Sequence, residues 1–233
     1  MTNYLDLCKD YLENAMSYYY NDDIFIKYYN RVPKTRYHTF KYCFDYFKDK
    51  NPIIVELGTT RSYLDGKFEG CCNDNPIYWE PNNIEKWDWS AGCFTKVFAN
   101  LFPNSNLHTI DIMEKHLRIS KTMNNDRNNI IYHHTSSENF LNTFDKKIDL
   151  LYLDTGDMDE KTAQLHLREA KIIVEKNILK DDGLLLIDDV KNPMNEFSQQ
   201  NLGKSKYSIP YLLNNGFSYV VDEYQVILKK NNI

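Results

Sequence analysis

The stretch that most constrains the fold of this chain is residues 52–60, where a short apolar run is followed by an acid, a glycine and two threonines. Three β-branched residues follow Pro52, and Gly58 closes the run, which predicts a short buried strand. A glycine at the end of a strand lets a ligand approach the backbone closely. In an open α/β sheet such a loop lies at the carboxyl edge of the strands, where nucleotides bind. An ordinary strand and turn is the alternative.

Composition and charge narrow the class of protein. A chain of 233 residues, 42% of them hydrophobic and 26% charged, suits one globular domain or a domain with an appendage. The net charge of −5 argues against a nucleic-acid partner, which requires a basic face. Five cysteines without zinc-site spacing predict reduced thiols. The first residues are polar and no apolar run is long enough to span a membrane, which predicts a cytoplasmic protein without membrane contact. A homo-oligomer is compatible with this prediction.

Strands and helices alternate along most of the chain. Further strands are predicted at 107–111, 129–134, 148–153 and 183–187, and helices at 91–102, 159–177 and 207–215. The last two strands, 217–221 and 224–228, are linked too closely for a crossover, so they should form an antiparallel hairpin. This order predicts the α/β class: a doubly wound, Rossmann-like sheet of seven strands, mostly parallel, with a C-terminal antiparallel hairpin.

Two further regions accompany this core. Residues 1–50 are predicted to be a helical segment packed on the core, and residues 51–233 to be the main domain. At about 61–90 the main domain is interrupted by a stretch that shows neither the helical nor the strand period and holds all three tryptophans. Loops of this length are often functional, so a lid or pocket wall is predicted. A surface insertion held by its own aromatic residues is the alternative.

Carboxylates follow three of the predicted strands, at Asp111, at Asp154 and at the pair Asp188–Asp189. A single Asp at a strand end often does no more than begin a turn. The carboxyl ends of parallel strands, however, meet at one crevice of the sheet. The four acids are therefore candidates for binding and catalysis.

The position of Asp111 can be compared with that of a ribose-binding acid. Asp111 lies 53 residues after Gly58, or 23 residues after it once the 30 residues at 61–90 are set aside. An acid about 20 residues beyond the glycine loop binds the ribose hydroxyls in dinucleotide folds. The insertion thus splits one nucleotide-binding loop, with Gly58 on one side and Gly92 on the other. A capping role for Asp111 is the alternative.

With these motifs in this order, residues 51–230 resemble a class I S-adenosylmethionine-dependent methyltransferase. The shared features are the acid-x-glycine loop, the acids after strands two and four, small polar residues after strand three and the final antiparallel pair. In that family the first loop surrounds the methionine part of the cofactor, the second acid holds the ribose, and the residues after strand three lie near the adenine. The cofactor-binding candidates are Glu56, Gly58, Thr59, Thr60, Arg61, Gly92, Asp111, Ser136, Ser137 and Asp154.

A narrower resemblance involves the acids after strands four and five. Metal-dependent small-molecule O-methyltransferases, of the catechol type and of the macrolide-sugar type, carry an Asp after strand four and an Asp–Asp or Asp–Asn pair after strand five. Here these are Asp154, Asp188 and Asp189. The resemblance implies Mg²⁺ on these three acids, which would lower the pKa of a substrate hydroxyl. Asp154, Asp189 and Asp157 are the catalytic candidates, and a simple turn at the Asp pair is the alternative.

Three lysines, Lys191, Lys204 and Lys206, flank the same edge of the predicted sheet. Residues 203–206 resemble a small anion cradle, which would suit a phosphate-bearing or nucleotide-linked sugar. A solvated run of charges is the preferred interpretation.

Taken with the resemblance, the sequence predicts an S-adenosylmethionine-dependent O-methyltransferase. Its substrate would be a small polyhydroxylated molecule such as a sugar or nucleotide-sugar, with Mg²⁺ assistance. A small molecule is the expected partner, and neither nucleic acid nor membrane is expected. An RNA methyltransferase and a non-catalytic cofactor-binding scaffold are the alternatives.

Overall fold

The computed structural model of the protein describes residues 3–10, 12–13, 21–59, 93–193, 196–197, 199 and 202–231. The predicted lid at 61–90, with its tryptophans, lies outside these residues, as do the cofactor candidates Thr60, Arg61 and Gly92. Within the described ranges, every helix is too short or too polar to cross a membrane.

Seven strands form one sheet. They are β1 (Ile54–Leu57), β2 (Leu107–Asp111), β3 (Ile130–His134), β4 (Ile148–Leu153), β5 (Leu179–Ile187), β6 (Phe217–Asp222) and β7 (Val226–Lys230). Their order across the sheet is β3-β2-β1-β4-β5-β7-β6. The first five strands are parallel, and β7 pairs antiparallel with both β5 and β6. The predicted fold class, including the C-terminal hairpin, is confirmed.

Helices cover both faces of the sheet. They are α1 (Tyr4–Leu7), α2 (Asp22–Tyr29), α3 (Arg36–Phe47), α4 (Phe94–Leu101), α5 (Glu114–Met123), α6 (Ser137–Thr143), α7 (Glu160–Glu175) and α8 (Ser208–Asn214), with a 3₁₀ turn at Gly203–Ser205. Several of them begin with a side-chain cap. The side chains of Asn21, Ser136 and Asp159 accept hydrogen bonds from backbone N–H groups of the first turns of α2, α6 and α7.

Successive side chains of each strand point to opposite faces of the sheet, which creates two apolar layers. In β1, Ile54 packs into one layer, together with aromatic side chains of α3 and α4, whereas Val55 and Leu57 pack into the other. Side chains two residues apart share a face of the sheet, so Glu56 lies on the same face as Ile54. That geometry directs the carboxyl group of Glu56 toward α4.

The chain reverses its order of strand addition at β1, which pairs with β2 on one side and with β4 on the other. A reversal of this kind leaves a crevice at the carboxyl ends of the two central strands, because the connecting helices lie on opposite faces. The loop at Gly58 and the loop at Asp154 border this crevice.

Candidate active site

A cleft of about 420 Å³ opens at the carboxyl ends of β1 to β4. Its volume falls within the range of about 300–1,000 Å³ that is usual for small-molecule sites. Four loops line it, each following one of these strands. The residues in its wall include Gly58, Asp111, Ser136, Ser137 and Asp157. The cleft thus brings together several of the cofactor and catalytic candidates, with Asp111 among them as the one strand-end acid.

Gly58 brings two loops into direct contact. Its φ is 88°, a left-handed value that favours glycine. A Cβ atom built there would lie 2.4 Å from the carbonyl oxygen of Asp154. Its amide nitrogen donates to the carbonyl oxygen of Ile110 at 2.9 Å. Only a residue without a side chain allows this wall of the cleft to form.

Asp111 ends β2 and is held by three donors. Its carboxylate accepts hydrogen bonds from the backbone amide of Met113 at 2.7 Å, from the Thr59 amide at 3.3 Å and from His116 Nδ1 at 3.0 Å. Ile112, the next residue, is 66% exposed and also lines the cleft. A fixed carboxylate beside an exposed apolar side chain is suited to a ligand with hydroxyl groups and a flat ring.

Glu56 lies behind the cleft wall, although it was predicted to bind the cofactor. Its carboxyl group accepts hydrogen bonds from the hydroxyls of Thr95 and of Thr109, the latter at 2.5 Å. The pKa of Glu56 is raised to about 8, mainly by burial and also by the negative charges of Asp154 and Asp111, while the two hydroxyl hydrogen bonds act in the opposite direction. Thr59, also a cofactor candidate, is buried beside it, with its hydroxyl 3.3 Å from that of Thr95.

Ser136 and Ser137 lie in the loop after β3, at the start of α6. The Ser136 hydroxyl accepts a hydrogen bond from the Asn139 amide at 3.2 Å, and so caps the helix. Ser137 bonds to Glu169, which is buried in α7 and also accepts from the Thr155 hydroxyl at 3.0 Å. Burial raises the pKa of Glu169 to about 7. Sequence analysis did not identify Glu169, because a lone acid within an amphipathic helix gives no local signal.

Three carboxylates meet beside the cleft, after β4 and β5. Asp154, Asp188 and Asp189 each place an oxygen within 4.8 Å of the others. Asp188 and Asp189 are almost fully buried, and Asp189 has a φ of 54°. The prediction that the sheet brings these acids together is confirmed.

Two buried cations neutralise most of this acidic cluster. Arg36 binds Asp188 through two nitrogens, Nε at 3.1 Å and a terminal nitrogen at 2.9 Å, and the latter also lies 3.1 Å from Asp189. The Lys204 ammonium lies 2.7 Å from Asp154 and 3.4 Å from Asp189. Lys204 is fully buried, so the preferred interpretation of this lysine as part of a solvated charge run is wrong.

Neutral donors complete the contacts of the acidic cluster. They are Gln225 Nε2 on Asp188 at 2.8 Å, the Tyr224 hydroxyl on Asp189 at 2.5 Å, Asn192 Nδ2 on Asp189 at 3.1 Å and the Tyr152 hydroxyl on Asp154 at 3.4 Å. With Arg36 and Lys204 included, each carboxylate oxygen of the cluster has at least one donor. Fully paired buried charges of this kind form a closed network.

The acidic cluster does not fit Mg²⁺ in this arrangement. Carboxylate oxygens are the right donor type, and the ion holds them at about 2.0–2.1 Å. An ion that bridged Asp154 and Asp189 would need the position that the Lys204 ammonium occupies between them. It would also lie close to the Arg36 guanidinium, which already contacts two of the acids. The expected Mg²⁺ is therefore not supported by the contacts of its predicted ligands.

Asp157 differs from the other two catalytic candidates. It is exposed and lines the cleft, and its backbone amide donates to the Thr162 hydroxyl at 3.1 Å. Asp154 and Asp189 are instead engaged by Lys204. Of the three, Asp157 is the carboxylate with direct access to a molecule in the cleft.

Comparison with known proteins places the chain by its fold. No family model and no curated protein sequence matches it. Methyltransferase PaMTH1 from Podospora anserina, solved with S-adenosylhomocysteine, is 14% identical with a TM-score of 0.54, over 97% of this chain and 95% of that one. A protein described as a caffeoyl-CoA O-methyltransferase, from Staphylococcus aureus, is 15% identical with a TM-score of 0.55, over 97% and 100%. The chain has the class I methyltransferase fold.

Proposed function

We propose that the protein is an S-adenosylmethionine-dependent methyltransferase whose cofactor binds in the cleft of about 420 Å³. The observation that carries the proposal is the convergence of Gly58, Asp111 and the Ser136–Ser137 turn on this one cleft. These residues come from three separate strand ends, and the resemblance to class I methyltransferases implies that each of these loops would contact a different part of the cofactor. The shared fold with PaMTH1, solved with S-adenosylhomocysteine, supports the same assignment.

Residues from three of the strand-end loops would hold the cofactor. The Asp111 carboxylate, fixed by two backbone amides and His116, would accept hydrogen bonds from the ribose hydroxyls. Ile112 would cover one face of the adenine, and Gly58 would let the backbone approach the methionine part. S-adenosylmethionine supplies an activated methyl group on a sulfonium sulfur.

We further propose that the acceptor is a hydroxyl of a small polyhydroxylated molecule, such as a sugar or a nucleotide-sugar. The net charge of −5 favours a small acceptor over a nucleic acid. Asp157 would accept the proton that the acceptor hydroxyl loses, because it is exposed in the cleft wall, whereas the carboxylate of Asp159, also exposed there, caps α7. Methyl transfer needs mainly alignment of acceptor and methyl group, which the walls of the cleft would provide.

A radiolabelled methyl-transfer assay tests this proposal. Protein and methyl-tritiated S-adenosylmethionine are incubated with sugars, nucleotide-sugars, catechols and RNA, and the label in each product is measured. We expect transfer to a hydroxylated small molecule, and Asp157→Asn should lower kcat at least ten-fold, as for loss of a general base. Asp181→Asn, at a residue 94% exposed in its side chain, is the matched control and should keep full activity. Labelling of RNA alone would refute the proposed acceptor.

A further inference from the structure

The buried acidic cluster contains its own positive charge. We infer that Lys204 is a fixed internal cation that takes the place of a divalent ion among Asp154, Asp188 and Asp189. Its ammonium lies within ion-pair distance of two of these acids, and Arg36 binds the remaining pair of oxygens on Asp188. The inference concerns metal binding by the folded protein, and it does not depend on the proposed reaction.

The backbone around Lys204 is shaped to carry this side chain inward. Leu202 and Gly203 both have positive φ, 74° and 46°, and Gly203 is the first residue of the 3₁₀ turn Gly203–Ser205. A Cβ atom at Gly203 would lie 2.9 Å from the carbonyl oxygen of Asp189 and 3.0 Å from Met158. The turn therefore packs directly on the loop after β5. This close approach is what delivers a lysine ammonium to the centre of the acidic cluster.

Charge balance explains why a lysine is tolerated at full burial. Three carboxylates so close together repel one another, and that repulsion favours a nearby cation. Arg36 and Lys204 together leave the cluster with one net negative charge. A buried ammonium without such partners would be strongly destabilised. The pairing thus stabilises both the acids and the lysine.

A divalent ion would face two obstacles in the native protein. It would have to displace the Lys204 ammonium from Asp154 and Asp189, and it would then be repelled by the ammonium and by Arg36. Replacing Lys204 by alanine would remove the first obstacle and leave two net negative charges and an open space. The variant should gain a site for an oxygen-preferring divalent ion.

Mn²⁺ binding, measured by isothermal titration calorimetry and by loss of the free-ion paramagnetic resonance signal, tests the inference. Wild-type protein and Lys204→Ala are compared, both without cofactor or substrate. Lys206→Ala is the matched control, because Lys206 is two residues away, partly exposed, and paired with Glu160 outside the cluster. The double variant Lys204→Ala with Asp189→Asn reports whether any new site uses the acidic cluster.

We expect Lys204→Ala to bind one Mn²⁺ at least about 100-fold more tightly than the wild type does, since one opposing charge is gone. The double variant should lose most of this gain, and Lys206→Ala should match the wild type. If Lys204→Ala does not fold without metal, Lys204→Met, which keeps most of the side-chain volume without the charge, replaces it in the titration and should show the same direction of change relative to the wild type.

Two results would overturn the inference. The first is stoichiometric Mn²⁺ binding by the wild type that Asp188→Asn or Asp189→Asn abolishes, since the cluster would then be a metal site despite the lysine. The second is a folded Lys204→Ala protein that binds Mn²⁺ no better than the wild type. Neither result bears on whether the protein binds S-adenosylhomocysteine, so a failure here is distinguishable from a failure of the proposed function.

Discussion

At the scale of single residues, Gly58 offers a direct test of how the cleft wall is built. Gly58→Ala adds a methyl group at a φ of 88° and 2.4 Å from the Asp154 carbonyl oxygen, so backbone must move. We expect a loss of about 3 kcal/mol or more in the free energy of unfolding, from left-handed strain and the clash together. Denaturant unfolding monitored by circular dichroism measures it.

Gly216 is the matched control for this substitution. Its φ is 83°, but a Cβ atom there would have nothing within 4 Å. Gly216→Ala should therefore cost only the backbone strain, about 1–2 kcal/mol. Equal losses for the two variants would mean that the contact between Gly58 and Asp154 adds nothing.

Glu56 gives a prediction about pH. Because burial raises its pKa to about 8 in the folded protein, folding favours the protonated form. The stabilising contribution is complete below the unfolded pKa of about 4.3 and is lost as the pH rises through 8. Glu56→Gln removes this dependence on pH. The melting temperature of the variant minus that of the wild type should therefore be higher at pH 9 than at pH 5, by about 5 °C or more for a chain of this size.

Glu160→Gln is the control for the pH experiment. Hydrogen bonds from Lys206, Gln164 and Tyr207 hold the pKa of exposed Glu160 at about 2, so this group is ionised throughout the tested range. The difference in melting temperature between Glu160→Gln and the wild type should be the same at pH 5 and at pH 9. A Glu56→Gln variant that behaves in the same way would show that Glu56 is ionised in the folded protein.

Local sequence patterns could predict single site residues only where the residue stands at a strand end. Gly58 and Asp154 follow apolar strands and Asp111 ends β2, so the sheet alone places them at one edge. Arg36 could not be predicted, because it contacts Asp188 across 152 residues of sequence from a helix outside the sheet. Lys204 looked solvated because polar residues surround it, and only the left-handed turn before it reveals its burial.

At the scale of elements, α3 is fixed to the sheet by its first residue. Arg36 is buried and spans Asp188 and Asp189, while its guanidinium lies 4.9 Å from the Tyr224 ring centre. Removing one partner of a buried ion pair leaves an uncompensated charge, at a cost of about 3–5 kcal/mol. Arg36→Met should lose that amount in urea unfolding and should loosen α3, seen as faster hydrogen exchange of its backbone amides.

Arg31 provides the comparison within the same part of the chain. It also pairs with acids near the last hairpin, Asp222 and Glu223, but its side chain is 39% exposed. Exposed pairs contribute about 1 kcal/mol or less, so Arg31→Met should have a small effect. If Arg36→Met and Arg31→Met lose the same free energy of unfolding, the role assigned to the buried ion pair is contradicted.

The elements themselves were predicted unevenly, for physical reasons. β2 and β4 have the predicted bounds, because an acid marks the end of each: Asp111 is the last residue of β2, and Asp154 follows β4. β5 begins at Leu179, four residues before the predicted start, since the polar residues 180–182 hide the strand pattern. α5 and α6 were not predicted, as their polar surfaces leave few apolar positions to show the helical period.

At the scale of the whole molecule, the order of elements carried most of the information. Alternating strands and helices with a closing hairpin were enough to predict the seven-stranded sheet, because right-handed crossovers leave few topologies. The crevice then follows from the reversal at β1. The charge balance of the acidic cluster beside this crevice could not be predicted in the same way. It depends on Arg36 from α3 and Lys204 from the turn before α8, and no strand pattern specifies these side chains.

The central claim, that the cleft binds S-adenosylmethionine through Asp111, is tested most directly by isothermal titration of S-adenosylhomocysteine. Wild-type protein, Asp111→Asn and Asp222→Asn are compared. Asp222 also ends a strand but lies outside the cleft. We expect one-to-one binding that Asp111→Asn weakens at least about ten-fold, from loss of a charge-assisted hydrogen bond, and that Asp222→Asn leaves unchanged. A protein that takes up no S-adenosylhomocysteine, or binds it equally well without the Asp111 charge, would contradict the claim.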